Sequence, residues 1–290
     1  MTRTIELTRE PRLAGLFAKA VATSAGRGGA LPDLEVVRPD VKVDPDALAA
    51  YDRVCGFPLR DELPSTYLHV LTFPLQVALF ADRSYPYPLT GSVHLSNRIV
   101  QHRPVGVREP LRLSVCATGA TPHRRGATVD IEGQVHAGDE LVWEGSSTYL
   151  YRGQKAEGQV PPKAEQPQAV DGTGALWRLP AGLGRRYAAV SGDVNPIHMS
   201  RLGAKALGFP TTIAHGMWSA ARMLAAVENR VSPAYAFDVA FGKPVLLPTT
   251  VKFVAQEPRQ DTWDLALRSP KKDTVYVRAS IAPADAGPIS

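Results

Sequence analysis

Two long apolar stretches, residues 65–80 and 215–229, divide the chain into a repeating pattern, and each is followed by a series of strand-like segments. Both stretches are long enough for several helical turns. After the first come candidate strands at 92–102, 111–117, 127–135 and 141–151. After the second come 236–242, 249–255, 263–267 and 274–281. These segments are rich in Val, Leu, Thr and Tyr, and 249–253 and 274–277 alternate as a half-buried strand requires. A helix followed by four antiparallel strands, twice over, predicts an α+β fold rather than βαβ units.

The two halves share a second feature. Asp44-Pro45 opens a helical stretch that ends at Cys55-Gly56-Phe57-Pro58. Asn195-Pro196 opens another, ending at Leu207-Gly208-Phe209-Pro210. Each starts with a capping side chain and proline at the first helical position, and each stops at glycine. Between the halves, residues 153–172 are polar, proline-bearing and without periodicity, which marks a linker. The expected division is 1–152, linker 153–172, and 173–290. A long helix packed on the concave face of a curved antiparallel sheet, duplicated in one chain, is a double hot-dog.

Composition narrows the functional classes. Apolar residues at 44% and charged residues at 21% place the chain among soluble globular proteins. The net charge of +5 is spread thinly, with no basic run, finger motif or aromatic-interleaved stripe, so nucleic acid is not expected as a partner. Two cysteines, Cys55 and Cys116, neither staple a chain of this size nor form a metal-type pair, and they fit a reducing, cytoplasmic setting. The segment 13–22 is interrupted by Lys19 and reads as an amphipathic helix, not a signal peptide. No segment reaches the length of a membrane span.

The richest stretch for chemistry runs Tyr187-Ala-Ala-Val-Ser-Gly-Asp-Val-Asn-Pro-Ile-His198, then on to Ile213-Ala214-His215-Gly216-Met217-Trp218. Ser191-Gly192-Asp193 reads as a turn. Asn195 caps the following helix, so His198 falls in its first turn with Asp193 just outside. A carboxylate and an imidazole sharing a water make a general acid–base pair. The helix N-terminus is expected to disfavour imidazolium and keep His198 neutral. Gly216 falls near the start of the second long helix, where N–H groups lack internal partners. Its N–H, unshielded by a side chain, could stabilise charge building on a carbonyl oxygen.

This segment resembles the hydratase 2 motif of MaoC-like (R)-specific enoyl-CoA hydratases and (3R)-hydroxyacyl thioester dehydratases. The first half is similar to the N-terminal unit of two-domain members around Val93–Arg98 and Gln101-His102-Arg103-Pro104. The resemblance implies reversible hydration of trans-2-enoyl thioesters in fatty acid metabolism. Asp193 and His198 match the dyad, Gly216 matches the oxyanion donor, and Asn195 matches a position that orders the loop. The implied carrier is CoA or acyl carrier protein, with no cofactor. Ser191 and His215 are supporting candidates, and Arg201, Lys205 and Trp218 are candidates for the substrate, as are Arg185 and Arg186 for a carrier's phosphates.

Aligning Asp44-Pro45 with Asn195-Pro196 sets Lys42 opposite Asp193 and Ala47 opposite His198, so the first half lacks the dyad. In duplicated members the resemblance implies that this unit is silent and makes room for acyl chains, and Pro74 is expected to kink or break its helix. His69, His94, His102, His123 and His136 read as structural or surface residues of that half. Asp193, His198 and His215 are all ligand types but lack the pairing usual for catalytic zinc, so no metal is expected. Thioester hydrolysis and a non-catalytic acyl-binding subunit stay open as alternatives, as do monomer and homodimer.

Overall fold

The computed structural model describes residues 2–11, 13–23, 27–89, 91–162 and 166–284. The first half comprises β1 (Arg3–Glu6), α1 (Leu13–Ala22), β2 (Leu34–Val41), α2 (Pro45–Cys55) and α3 (Ser65–Ala81). Strands β3 (Ser92–Gln101), β4 (Leu111–His123), β5 (Gly126–Ala137) and β6 (Glu140–Arg152) complete it. The second half has β7 (Ala175–Leu179), then α4 (Leu183–Ser191), α5 (Pro196–Met199), α6 (Arg201–Ala206) and α7 (Gly216–Ala225). A 3-10 turn at Glu228–Arg230 leads into β8 (Tyr235–Phe241), β9 (Thr249–Arg259), β10 (Thr262–Arg268) and β11 (Val275–Pro283).

All eleven strands form one sheet, in the order β1-β2-β4-β5-β6-β3-β8-β11-β10-β9-β7. The order is nearly symmetric about the β3–β8 pair: β2, β4, β5, β6, β3 on one side repeat as β7, β9, β10, β11, β8 on the other. The central pair is antiparallel, from Ser96 opposite Ala240 to Gln101 opposite Tyr235, and an Arg98–Asp238 ion pair clasps it. Helix α3 lies against strands β2 to β6, and α7 lies against β10 and β11 and touches α3. This is a double hot-dog of the α+β class.

Sequence patterning explains the layering. Along β5, Ala127, Val129, Ile131 and Val135 are buried while Thr128, Asp130, Glu132 and Gln134 face partly outward, the period of two that a one-sided sheet needs. One apolar cluster runs through both halves and includes Phe80, Trp143, Tyr151, Trp218, Phe237 and Leu265. The eight expected strands are present, five of them longer at one or both ends and three shifted or shortened by a residue or two, and β1, β2 and β7 are additional. In β2 the segment Arg38-Pro39-Asp40 interrupts the apolar pattern, and the ladder to β4 shifts register there. That charge and proline conceal the strand in the sequence.

Three helical expectations need correction. Helix α3 continues through Pro74 instead of breaking there. Nearly every residue of α3 is buried, so its packing offsets the one hydrogen bond that proline cannot donate. The stretch after Asn195 is two short helices rather than one. Ser200 is extended, and its hydroxyl accepts from Gly203 N–H at 3.0 Å to start α6 afresh. Helix α7 ends at Ala225, where bonds tighten to the three-residue spacing, rather than at Asn229.

Between β6 and β7 the described residues form no helix or strand, and part of the expected linker, 163–165, lies outside them. Its end is nonetheless anchored. Val170 packs with Val254 and Ala266, and Asp171 pairs with Lys252 at 2.9 Å. Cys55 and Cys116 are free thiols. Among the described residues no helix is long and apolar enough to cross a membrane.

Candidate active site

The motif region is built as a chain of local backbone turns between α4 and α7. The 183–191 segment, expected to lead into a turn, is a helix closed by Gly192 in the left-handed conformation at φ 73°, with its N–H on the Ala188 carbonyl. Three side chains then bond two residues ahead. Ser191 Oγ accepts from Asp193 N–H at 3.3 Å, Asp193 Oδ1 from Asn195 N–H at 3.2 Å, and Asn195 Oδ1 from Ile197 N–H at 3.3 Å. Short polar side chains favour such turns. They carry the chain from α4 into α5 and leave the second Asp193 oxygen free of this network.

His198 is buried, and its Nδ1 donates to the Ile213 carbonyl at 2.9 Å. That bond assigns the neutral tautomer with a lone pair on Nε2. Burial lowers the basicity of His198, while the Asp193 carboxylate and the Ile213 carbonyl act in the opposite sense. Desolvation thus favours the neutral imidazole expected from the sequence.

His215 lies against His198, with ring centroids 3.6 Å apart and planes 24° from parallel. Its Nε2 donates to the Asp193 main-chain carbonyl at 3.0 Å and lies 3.7 Å from Asp193 Oδ2. Burial, and then the neighbouring His198, pushes His215 down to about 3. Tyr187 also packs against His215, with ring centroids 4.9 Å apart. His215 thus holds Asp193 and His198 in register through a backbone bond and a stacked ring. Gly216, the next residue, is the first of α7, where backbone N–H groups have no helical partner. A Cβ there would come within 2.9 Å of the Phe241 ring, so the position is closely walled.

Asp193, His198 and His215 each offer one ligand atom within 4.8 Å of the others. The cluster expected from sequence as an acid–base pair therefore also has the spacing to hold a metal ion. Its hydrogen bonds commit His198 Nδ1 and His215 Nε2 to carbonyl oxygens and leave one nitrogen on each ring.

The remaining substrate candidates are dispersed. Arg201 and Lys205 are exposed on α6, away from any carboxylate partner among the described residues. Trp218 is buried on α7, and its Nε1 donates to the Val54 carbonyl at 3.0 Å, joining α7 to α2.

The chain is 36% identical over 252 residues to the 3-hydroxyacyl-thioester dehydratase X of Mycobacterium tuberculosis, an alignment that covers 87% of this chain and 90% of that protein. This chain belongs to the MaoC-like dehydratase family. The family model for the MaoC like domain matches residues 156–276, the part that holds Asp193, His198 and Gly216. In structure, this MaoC-like chain is similar to HtdX of M. tuberculosis, with a TM-score of 0.76 and 35% identity over 86% of this chain and 99% of that one. A MaoC-like dehydratase from Phytophthora capsici shares the fold, with a TM-score of 0.71 at 16% identity over 91% and 97% of the two chains.

The MaoC-like site also draws on residues that sequence reading assigned to the first half's structure. His69 on α3 is buried and His94 on β3 is half-buried, and the Asp193 carboxylate is close enough to oppose the effect of their burial. His94 stacks on Tyr149 at 4.6 Å and packs 4.9 Å from Phe241, the ring that walls Gly216. Burial pushes His69 down to about 4 and His94 to about 3, so both are neutral at pH 7. No local motif marks His69, and His94 falls in the Val93–Arg98 segment, whose resemblance gave it no role at the site. Only the β3–β8 junction brings them beside the Asp193 loop.

Proposed function

We propose that the chain catalyses reversible hydration of trans-2-enoyl thioesters, and the reverse dehydration of (3R)-3-hydroxyacyl thioesters, in fatty acid metabolism. The observation that carries this is the convergence of the Asp193 carboxylate and the neutral His198 imidazole beside the start of α7. In the hydration direction the Gly216 N–H receives the thioester carbonyl oxygen and stabilises the enolate-like charge that forms on it. Water held between Asp193 and His198 Nε2 gives up a proton to this pair, and its oxygen adds at C3. The proton then returns from the pair to C2, so both additions occur from one face. The R configuration is taken from the family.

In this reading residues 1–152 form a unit without a dyad, whose α3, β3 and β6 side chains wall the acyl end of the site. Residues 173–290 carry the chemistry, and 153–172 connect the two. The carrier is CoA or acyl carrier protein, and the free thiols suit a reducing compartment such as the cytoplasm. Because the chain contains both units of the sheet, monomer and homodimer both satisfy the fold.

The test is the ultraviolet absorbance of the conjugated enoyl thioester. Purified protein should abolish the band of trans-2-enoyl-CoA without releasing free thiol. Thiol release in place of hydration would instead make the protein a thioesterase. A persistent band with both CoA and carrier-protein substrates would leave only an acyl-binding role.

A further inference from the structure

Beside the catalytic loop, α2, β7, α4 and α7 enclose an open cleft of about 390 Å³ that the proposed chemistry does not use. Four arginines line it: Arg53 from α2, Arg178 from β7, Arg186 from α4 and Arg222 from α7. Trp177, stacked on Phe253 at 4.6 Å, and the buried Trp218 contribute apolar wall, and no acidic residue contributes to the lining. Among the described residues none of the four arginine side chains forms an ion pair or a hydrogen bond. Ion pairing is otherwise common on this surface, where Arg3, Arg60, Arg103, Arg230 and Arg268 each face a carboxylate.

Arg222 is the most informative of the four. It is half-buried, and burial lowers its proton affinity because no carboxylate compensates for the water it has lost. Its guanidinium lies 4.8 Å over the Trp177 ring. The backbone makes room for it as well. A Cβ at Gly56 would sit 2.4 Å from Arg222 Nη1, and Gly56 has the left-handed φ of 82° that favours glycine. The fold thus holds a partly desolvated cation at the base of a cleft rimmed by three like charges. Such an arrangement is completed by an anion with more than one charge.

We propose that this cleft binds a phosphate-bearing ligand of nucleotide size, with the arginines on the phosphates. The adenosine phosphate end of CoA and a free nucleotide share that chemistry. The first source rests on the thioester reading above. Arg222 lies six residues along α7 from Gly216, about 9 Å at the helical rise, which the pantetheine arm of CoA can span.

The experiment uses the full chain and two exposed positions outside the dyad, in the double variant Arg53→Ala/Arg178→Ala. Calorimetric titration with adenosine 3′,5′-bisphosphate should show binding to wild type that weakens at least tenfold in the variant and with added salt. If the ligand is the CoA end, the variant's KM for enoyl-CoA rises at least tenfold while that for enoyl-pantetheine is unchanged. If it is a free nucleotide, binding weakens and both KM values stay put. No binding to wild type at millimolar ligand, or equal binding to the variant, overturns the proposal. Should wild type hydrate neither thioester yet still bind the bisphosphate, the catalytic reading fails and the cleft assignment stands.

Discussion

Gly184 sits in the first turn of α4 against the backbone of α5, and alanine at that position tests how finely the fold places the dyad. An alanine Cβ would lie 2.2 Å from the His198 carbonyl oxygen and 3.1 Å from its carbonyl carbon. Ordinary carbon–oxygen contact needs about 3.2 Å, so α4 and the His198 backbone must separate by roughly 1 Å. Helix propensity works the other way, favouring alanine over glycine by about 1 kcal/mol. Overpacking against a main-chain atom costs about 1–3 kcal/mol, because no flexible side chain can yield, and it is expected to win. The larger effect falls on rate. A 1 Å displacement of a catalytic group costs on the order of 10²-fold, about 2.7 kcal/mol in transition-state stabilisation. The assay is the kcat/KM for trans-2-enoyl-CoA from loss of enoyl absorbance, alongside thermal unfolding. Gly182→Ala is the control, since a Cβ there meets nothing within 4 Å. Gly184→Ala should lose about 10²-fold in kcat/KM and a few degrees in Tm, while Gly182→Ala stays near wild type. A folded Gly184→Ala protein with kcat/KM within twofold of wild type would show that the contact between α4 and the His198 backbone does not place the dyad.

Further predictions address charge, proton balance and capping. Asp193→Asn keeps the acceptor for Asn195 N–H but removes the charge, and His198→Gln removes the imidazole. Each should lower kcat by about 10²–10⁴-fold with folding retained, as read by circular dichroism. Stability should fall between pH 7 and pH 5.5. His69, His94 and His215 have folded values pushed below the ordinary 6.5, so the unfolded chain takes up their protons first. Each then costs up to about 1.4 kcal/mol per pH unit below 6.5. Asp52, which burial raises to about 7, acts in the opposite sense by a similar amount, while His198, also lowered by burial, adds to the histidine side, so the net is a loss. An equal or higher Tm at pH 5.5 would contradict this balance. Asn195→Ala removes the cap of α5 and should cost about 0.5–2 kcal/mol in denaturant unfolding, together with a drop in kcat as the Asp193–His198 loop loosens. Unchanged kcat would show that the cap serves folding alone.

Local rules acting over a few residues determined much of this protein. The apolar stretches became α3 and α7, the alternating segments became the strands after each, and Asn195-Pro196 capped α5 as the residue types require. The motif from Ser191 to His198 is legible for the same reason, since each of its turns is closed by a side chain two residues from its partner. Tertiary structure decided what depends on distant partners. Strands β2 and β7 form because β4 and β9 offer ladders to pair with, overriding the charge and proline of Arg38-Pro39-Asp40 in the first case. Helix α3 survives Pro74 because its surroundings bury almost all of it. His198 is pushed toward the neutral form by burial that includes the His215 ring, and its Nδ1 is fixed by the Ile213 carbonyl fifteen residues away. His69, His94 and Tyr149 reach the Asp193 loop only because β3 pairs with β8. The arginine cleft draws one arginine from each of four elements. Pairing and burial join residues far apart in the chain, and no local pattern in the sequence encodes which distant surfaces will meet.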